Sequence, residues 1–142
     1  MASRRRRLQT YATDAITVTF DPNRCIHAAE CIRTAPLVFD SRRLRWIQPD
    51  LGDPALIAVA VHRCPTGALA YSLPNGAAEA ADANEIRPVH NGPLYLRGET
   101  RVEAEDGHLI AEGFRIALCR CGATKNAPFC DGSHREAGFR DD

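Results

Sequence analysis

Apolar and polar positions alternate along residues 15–20, which places Ile16, Val18 and Phe20 on one face. Such alternation over a short segment is typical of a half-buried β-strand. An uninterrupted apolar run follows Pro54, and proline is favoured at the first position of a helix. The elements predicted for the first half are a strand at residues 15–20, a strand at residues 44–48, a helix from Pro54 to about Arg63 and a returning strand at residues 68–73.

The second half has a different pattern, and a polar segment precedes it. Residues 74–85 are rich in Ala, Asn, Asp and Glu and contain no β-branched residue, so they are not expected to bury an apolar face. Short apolar runs broken by glycines then predict a small antiparallel sheet. These runs lie at residues 94–96, 109–110 and 114–118. Asp131 is placed to cap a short helix that continues through Ala137.

The alternation of strands and short helices predicts an α+β chain with two small domains. The N-terminal segment contains an arginine run at residues 4–7 and no apolar pattern, which is typical of a solvated tail. The predicted divisions are a flexible basic tail at residues 1–13, a first domain at residues 14–73, a linker at residues 74–87 and a second domain at residues 88–142.

The composition indicates that the chain needs cross-links for its stability, and it argues against nucleic acid as a partner. The chain has 142 residues, of which 6% are aromatic, so two small domains would bury little apolar area. Six cysteines suggest that metal or disulfide cross-links supply the rest of the stability. The 18 basic and 18 acidic residues cancel, which argues against a nucleic-acid binder.

The N-terminus indicates where the protein works and hence the state of its cysteines. The arginines at residues 4–7 are followed by the mostly polar segment 8–14, which is unlike a secretory signal. The longest apolar run, residues 55–61, is too short to cross a bilayer. We therefore predict a cytoplasmic protein with no membrane partner, whose cysteines stay reduced and available to metal.

Three thiols and an imidazole are concentrated in sixteen residues near the C-terminus. They are Cys119, Cys121, Cys130 and His134, in the string Cys-Arg-Cys-Gly-Ala-Thr-Lys-Asn-Ala-Pro-Phe-Cys-Asp-Gly-Ser-His. The first two thiols are close enough in sequence to bind one ion, and the last thiol and imidazole a second. Two facing pairs suit a 2Fe-2S cluster. The alternative is a structural zinc site with the same four ligands, although zinc sites favour wider cysteine spacing.

This string closely resembles the signature of the CDGSH iron-sulfur family, the mitoNEET-like proteins, at every defined position. The resemblance extends over about residues 93–139. It implies that the same three cysteines and His134 bind a 2Fe-2S cluster in a small β-rich domain. One neutral imidazole among thiolates is expected to raise the reduction potential. Since a protonated imidazole cannot bind metal, we also predict acid-labile iron at His134.

The first half carries a second cysteine pattern, Cys25-x5-Cys31, with Cys64-Pro much later in the chain. It resembles a divergent single-cluster ferredoxin domain over about residues 11–71. The bacterial ferredoxin pattern has a further cysteine where this chain has Ala28, which offers no ligand atom. Three thiolates predict a 3Fe-4S cluster on Cys25, Cys31 and Cys64. A 4Fe-4S cluster, with His27, water or a partner's side chain as the fourth ligand, is the competing interpretation.

Together these patterns predict the fold class and the function. The fold is expected to be α+β, a small ferredoxin-like domain followed by a CDGSH-type β-rich domain. No nucleotide-binding or hydrolase motif is present and every cysteine has a metal role, so we predict an electron carrier rather than an enzyme. Its partners would be a reductase and an acceptor enzyme. A redox sensor or cluster-transfer protein is the alternative.

Two further expectations concern assembly and the other histidines. The family resemblance implies a homodimer. The alternative is a monomer in which residues 1–71 take the second subunit's place. The remaining histidines lack ligand spacing and are expected at the surface. They are His62, His90 and His108.

Overall fold

The computed structural model describes residues 6–79 and 83–141, which form two three-stranded antiparallel sheets, one in each half. In the first sheet, of order β1-β2-β3, the central strand pairs with both neighbours. Its strands are β1 (Gln9–Ala12), β2 (Thr17–Phe20) and β3 (Leu69–Ser72). The helices of this half are α1 (Glu30–Thr34) and α2 (Pro54–His62), with a 3-10 turn at Pro49–Leu51. The α+β prediction is confirmed.

The longest helix, α2, begins as its sequence predicts. The Asp53 carboxylate accepts a hydrogen bond from the Ala55 N–H at 2.8 Å, and Pro54 occupies the first helical position. Ile57, Ala60 and Val61 are buried against the sheet. The helix ends at His62, so that the next residues of the chain lead directly to Cys64.

The first half has a continuous apolar core. The strand predicted at residues 44–48 is not formed, and this segment contributes one isolated β-bridge, between Phe39 and Ile47. The reason is the Arg43 side chain, which donates to the carbonyls of Leu37, Val38 and Trp46 and holds a compact turn there. The buried residues of the core are Ile16, Val18, Phe20, Ala35, Val38, Phe39, Ile47, Ile57, Ala60, Val61, Ala68 and Leu69.

Strand β1 lies inside the segment 1–13 that was predicted to be a flexible tail. It pairs with β2 in antiparallel register, with Tyr11 opposite Val18. Tyr11 packs against the apolar core, which explains why residues 9–12 are ordered despite a mostly polar sequence. Residues 1–5 of the predicted tail lie outside the described residues.

The second sheet consists of β4 (Glu85–Pro88), β5 (Leu94–Glu103) and β6 (Leu109–Leu118), in that order. The short runs predicted at residues 109–110 and 114–118 belong to one strand, because Gly113 continues the β5 pairing opposite Thr100. The chain then turns through a loop into α3 (Ser133–Ala137). Asp131 accepts the Ser133 N–H at 3.0 Å, one residue before the capping position, which Gly132 occupies.

The predicted linker at residues 74–87 is partly built into the fold. Its end forms the start of β4, and Ala78 forms a bridge with Ser72. Glu79 makes a bidentate ion pair with Arg115 of β6, with N–O distances of 2.7 and 2.6 Å. Both side chains are buried, so this pair ties the two halves together. Within the described residues no helix is long and apolar enough to span a bilayer.

Candidate metal centres

Strand β6 delivers the first pair of C-terminal cysteines. The strand ends at Leu118, and the next residue is Cys119. The chain then folds back, so that the sulfur atoms of Cys119 and Cys121 lie 3.6 Å apart. Two sulfurs at this separation can bind one ion.

The returning chain brings the other two predicted ligands to the same end of β6. Phe129 forms a bridge with Leu118, and the Cys130 N–H donates to the Ala117 carbonyl at 2.9 Å. Helix α3 then places the Nδ1 atom of His134 3.5 Å from the Cys130 sulfur. The structure therefore places the four predicted C-terminal ligands in one loop as two close pairs.

The loop between the pairs is shaped by its own side chains. The Thr124 hydroxyl donates to the Phe129 carbonyl at 2.6 Å, and the Asp131 carboxylate accepts the Lys125 N–H at 3.0 Å. Arg120, although it lies between two cysteines, donates to the Gly92 carbonyl and the Asp141 carboxylate instead. Thr124 therefore supports the loop, whereas Arg120 anchors the domain's C-terminal end.

Backbone amides point at the thiols of this loop and change their protonation. Burial raises the pKa of Cys119, but hydrogen bonds from the backbone and from Cys121 outweigh it and lower the pKa below its usual value. For Cys130 burial dominates and raises the pKa. Burial, with the nearby Arg135 charge, lowers the pKa of His134 and so favours the neutral imidazole that metal binding requires.

The N-terminal cysteines meet in the core of the first half. All three thiols line one cavity, which is closed on its apolar side by Phe20, Trp46 and Leu69. Cys31 lies in the first turn of α1, Cys64 follows α2, and Cys25 is in the loop after β2. The three residues predicted to hold a cluster are thus brought together from three separate elements.

Burial also sets the protonation of these thiols. Burial, together with smaller contributions from the neighbouring Cys64 and Cys25, raises the pKa of Cys31 to about 11. Burial likewise raises the pKa of Cys25, which the His27 N–H partly opposes by donating to its sulfur at 3.4 Å. A metal that binds here must displace protons, so metal binding at this site releases protons at neutral pH.

His27, the suggested fourth ligand, is exposed and is not among the residues that line the cavity of the three thiols. The cavity wall contains Ala28 and Ala29, whereas His27 borders an outer groove beside Cys25 and Cys31. Positive φ angles of 59° at His27 and 64° at Ala29 turn the backbone here. The other histidines lie near carboxylates: His62 by Glu79 at 2.9 Å, His90 by Asp141 at 3.1 Å and His108 by Asp106 at 2.6 Å.

Two arginines that the sequence did not single out join the two sites. Arg115 donates to the Cys64 carbonyl at 2.6 Å, and Arg135 donates to the Ile26 carbonyl at 2.7 Å. Single arginines on a strand or a short helix are usually solvated, so their local pattern gives no sign of this role. Only the packing of one half on the other identifies them.

The fold and the two cysteine sites define an iron-sulfur protein with two small domains. In comparisons with known proteins, each half of the chain matches a family model of its own. The family model described as a divergent 4Fe-4S mono-cluster matches residues 11–74, and that described as an iron-binding zinc finger of CDGSH type matches residues 91–135. The first half therefore contains a domain similar to the divergent 4Fe-4S mono-cluster family, and the second half a domain similar to the CDGSH family.

Two groups of curated proteins are similar to this chain. The uncharacterized protein YjdI of Escherichia coli strain K12 is 36% identical over 61 residues, which are 43% of this chain and 80% of that protein. The CDGSH iron-sulfur domain-containing protein 2 homologs of Drosophila sechellia and Drosophila simulans are each 38% identical over 82 residues. The matched part is 58% of this chain and 60% of each fly protein.

Proposed function

We propose that the protein is an electron carrier with two iron-sulfur clusters and no catalytic activity of its own. A 2Fe-2S cluster would be held by one set of residues and a second cluster by another. The first set is Cys119, Cys121, Cys130 and His134, and the second is Cys25, Cys31 and Cys64. The single observation that carries this proposal is the arrangement of the C-terminal ligands in two pairs.

The spacing within each C-terminal pair fits one tetrahedral ion. With metal–sulfur and metal–nitrogen bonds of about 2.3 and 2.05 Å, a tetrahedral edge is about 3.8 Å between two sulfurs and about 3.6 Å between sulfur and nitrogen. The separations are 3.6 Å for Cys119 and Cys121 and 3.5 Å for Cys130 and His134. Each pair can therefore bind a metal ion without rearrangement.

The same geometry favours two ions over one zinc ion. A zinc site needs all four ligands to converge on one point. In residues 6–79 and 83–141, no three His, Cys, Asp or Glu side chains converge in the way that a single ion requires. Two separate pairs suit a cluster in which each iron has two protein ligands.

For the N-terminal site, the protein ligands favour 3Fe-4S and the family favours 4Fe-4S. Three thiols line the cavity, and Ala28 stands where a further cysteine would be. This supports a 3Fe-4S cluster. The matched family is described as binding a 4Fe-4S cluster, which would need a fourth ligand from solvent, His27 or a partner. The spin state of the oxidised protein separates the two.

The protein's own residues would protect the clusters and receive partners. When bound, the clusters supply one-electron chemistry. Phe20 and Trp46 line the apolar side of the N-terminal cavity, and the adjoining groove contains Arg6 and Arg43 beside Cys25 and Cys31. A reductase or acceptor with an acidic surface would complement these charges, and weak, transient contact is what electron carriers require.

Cluster transfer or sensing is the second candidate, because the C-terminal loop is accessible. Gly122, Ala123 and Lys125 are exposed directly after Cys121. An exposed loop with an imidazole ligand can release iron more readily than a buried site. Incubation with an apo-ferredoxin, followed by separation and iron analysis, tests transfer. A carrier keeps its iron in this assay and still passes electrons from a flavoprotein reductase to an acceptor.

Anaerobic purification followed by iron, zinc and sulfide analysis and electron paramagnetic resonance tests the main proposal. We expect iron and acid-labile sulfide with little zinc. An oxidised 3Fe-4S cluster gives a resonance signal, whereas oxidised 2Fe-2S and 4Fe-4S clusters are ordinarily silent. Loss of the C-terminal cluster in Cys121→Ser, with retention of the other, would assign the sites. Zinc without sulfide would overturn the proposal.

A further inference from the structure

The ligand loops of the two sites contact each other directly. Ile26, next to Cys25, is buried in one small apolar cluster with Ala117 and Cys130. Their exposed fractions are 3%, 2% and 4%. Ala28, at the position where a ferredoxin has its further cysteine, packs against the same cluster. The unliganded side of the first site therefore faces the second site.

One aromatic side chain lies between the two sites. Tyr95 of β5 packs against the cluster of Ile26, Ala117 and Cys130. Its side chain therefore packs against the cluster in which a ligand of the second site meets the neighbour of Cys25 from the first.

Hydrogen bonds from arginines hold this contact in place. Across the two halves, Arg115 donates to the Cys64 carbonyl at 2.6 Å and to the Leu69 carbonyl at 2.7 Å, while Arg135 donates to the Ile26 carbonyl at 2.7 Å. Within the first half, Arg24 donates to the Thr66 carbonyl at 2.7 Å. The loop that carries Cys64 is thus fixed to the strand that leads to Cys119.

A glycine permits this close approach. At Gly67 the φ angle is 73°, and a Cβ atom would lie 2.2 Å from the Arg115 carbonyl oxygen. Only glycine avoids both the strained conformation and the collision. The Cys64 loop and β6 therefore lie backbone to backbone at this point, which suits a fixed spacing of the two sites.

We propose that the two metal sites form one intramolecular electron relay, joined where Ile26 and Tyr95 pack against Cys130. This inference rests on the proposed function. One electron from a reduced flavoprotein enters at either site and passes to the site of higher potential. The site that received the electron is then oxidised by one electron, and the other site is reduced by one. No covalent bond forms or breaks. Either face of the protein can thus receive or deliver the electron.

Magnetic interaction between the reduced sites tests their proximity. Resonance spectra are recorded for the fully reduced intact protein, for Cys121→Ser, which keeps the N-terminal site, and for Cys64→Ser, which keeps the C-terminal site. We expect the intact spectrum to be split or broadened relative to the sum of the two variant spectra. Equality with that sum, in samples whose iron and sulfide are complete, overturns the relay but leaves the proposed function intact.

A kinetic measurement tests the junction and needs no ligand variant. The loaded protein receives one electron per molecule, is frozen at successive times, and is scored for which site is reduced. We expect redistribution at a rate independent of protein concentration. Tyr95→Leu should slow it with full retention of iron, whereas Tyr71→Leu, a half-buried tyrosine on β3, should not. A rate proportional to protein concentration, or an equal rate in Tyr95→Leu, contradicts the proposal.

Discussion

The two halves of the molecule are stabilised in different ways. Within residues 6–79 and 83–141, the 12 buried residues of the main core all belong to the first half. Outside that core the apolar side chains that the second half buries include Pro93, Ile116, Ala117, Phe129 and Cys130. The first half can therefore be stabilised by burial, whereas we expect the second to depend on bound metal and on contact with the first half.

The two sites also differ in how the protein shifts the pKa values of their thiols. In the first half, burial raises the pKa of Cys25 and Cys31, so these thiols stay protonated without metal. In the second half, backbone hydrogen bonds lower the pKa of Cys119 against the effect of burial. Cys119 is thus better prepared than Cys25 or Cys31 to give up its proton to a metal, whereas Cys130, whose pKa is raised by burial, resembles the thiols of the first half.

Removal of metal should produce the largest difference in stability between the two halves. After chelation of iron under reducing conditions, we expect amide protons of β5 and β6 to lose most of their protection against hydrogen exchange. Those of β2, β3 and α2 should keep more, because their core remains buried. Hydrogen exchange read by mass spectrometry gives the comparison. Equal loss in both halves would show that metal supports them equally.

Truncation of a core side chain should destabilise the first half. Phe39 is fully buried, so Phe39→Ala is expected to lower the free energy of unfolding by about 3–5 kcal/mol. Leu44 is fully exposed, and Leu44→Ala should change it by less than about 0.5 kcal/mol. Urea unfolding of the anaerobic protein, followed by circular dichroism, measures both. Similar effects of the two variants would refute the described core.

Breaking the ion pair between the halves should cost about 3 kcal/mol, as expected when a buried pair loses one partner. Glu79→Gln leaves Arg115 buried without its counter-charge. The matched control is Glu85→Gln, whose exposed pair with Arg87 should contribute less than about 1 kcal/mol. Urea unfolding compares the two variants. A loss in Glu79→Gln no larger than in Glu85→Gln would mean that this pair does not join the halves.

The same pair predicts a pH dependence. Burial raises the pKa of Glu79, but Arg115 and His62 outweigh this and lower it below its usual value of 4.5. A lowered pKa stabilises the fold above pH 4.5, and this contribution is lost as pH falls through the lowered value. The difference between parent and Glu79→Gln should therefore shrink in acid. A difference that grows in acid would contradict this assignment.

The smallest effect concerns the cap of α2. Asp53→Ala removes the hydrogen bond to the Ala55 N–H and should lower the free energy of unfolding by about 1 kcal/mol. Asp50→Ala, an exposed neighbour in the 3-10 turn, serves as the control. Thermal unfolding followed by circular dichroism resolves the difference. An equal change in both variants would remove the cap as a source of stability in the first half.

Local patterns predicted most elements, and packing between distant residues explains the exceptions. The helix after Asp53 and the strand that ends at Phe20 follow from capping and alternation. Strand β1 was missed because Tyr11 reaches a core that only the folded chain provides. The strand expected at residues 44–48 is replaced by a turn that the Arg43 side chain holds.

The same distinction between local pattern and packing of distant residues applies to the candidate sites. Close cysteine spacing pointed to the C-terminal pairs, and the resemblance to ferredoxins pointed to the three thiols that share the N-terminal cavity. The contact between the sites depends on Arg115 and Ile26, which are ordinary residues in ordinary local patterns. A single sequence holds no local signal for it, because Arg115 and Cys64 are 51 residues apart in the chain and Ile26 and Arg135 are 109 apart.

Native mass spectrometry of the anaerobically purified protein tests the central claim most directly, since it weighs the metal content of each molecule. We predict a dominant species whose added mass equals one 2Fe-2S cluster plus one 3Fe-4S or 4Fe-4S cluster. Cys121→Ser should lose only the smaller increment. A dominant species that carries zinc, or no added mass, would contradict the claim that both sites hold iron-sulfur clusters.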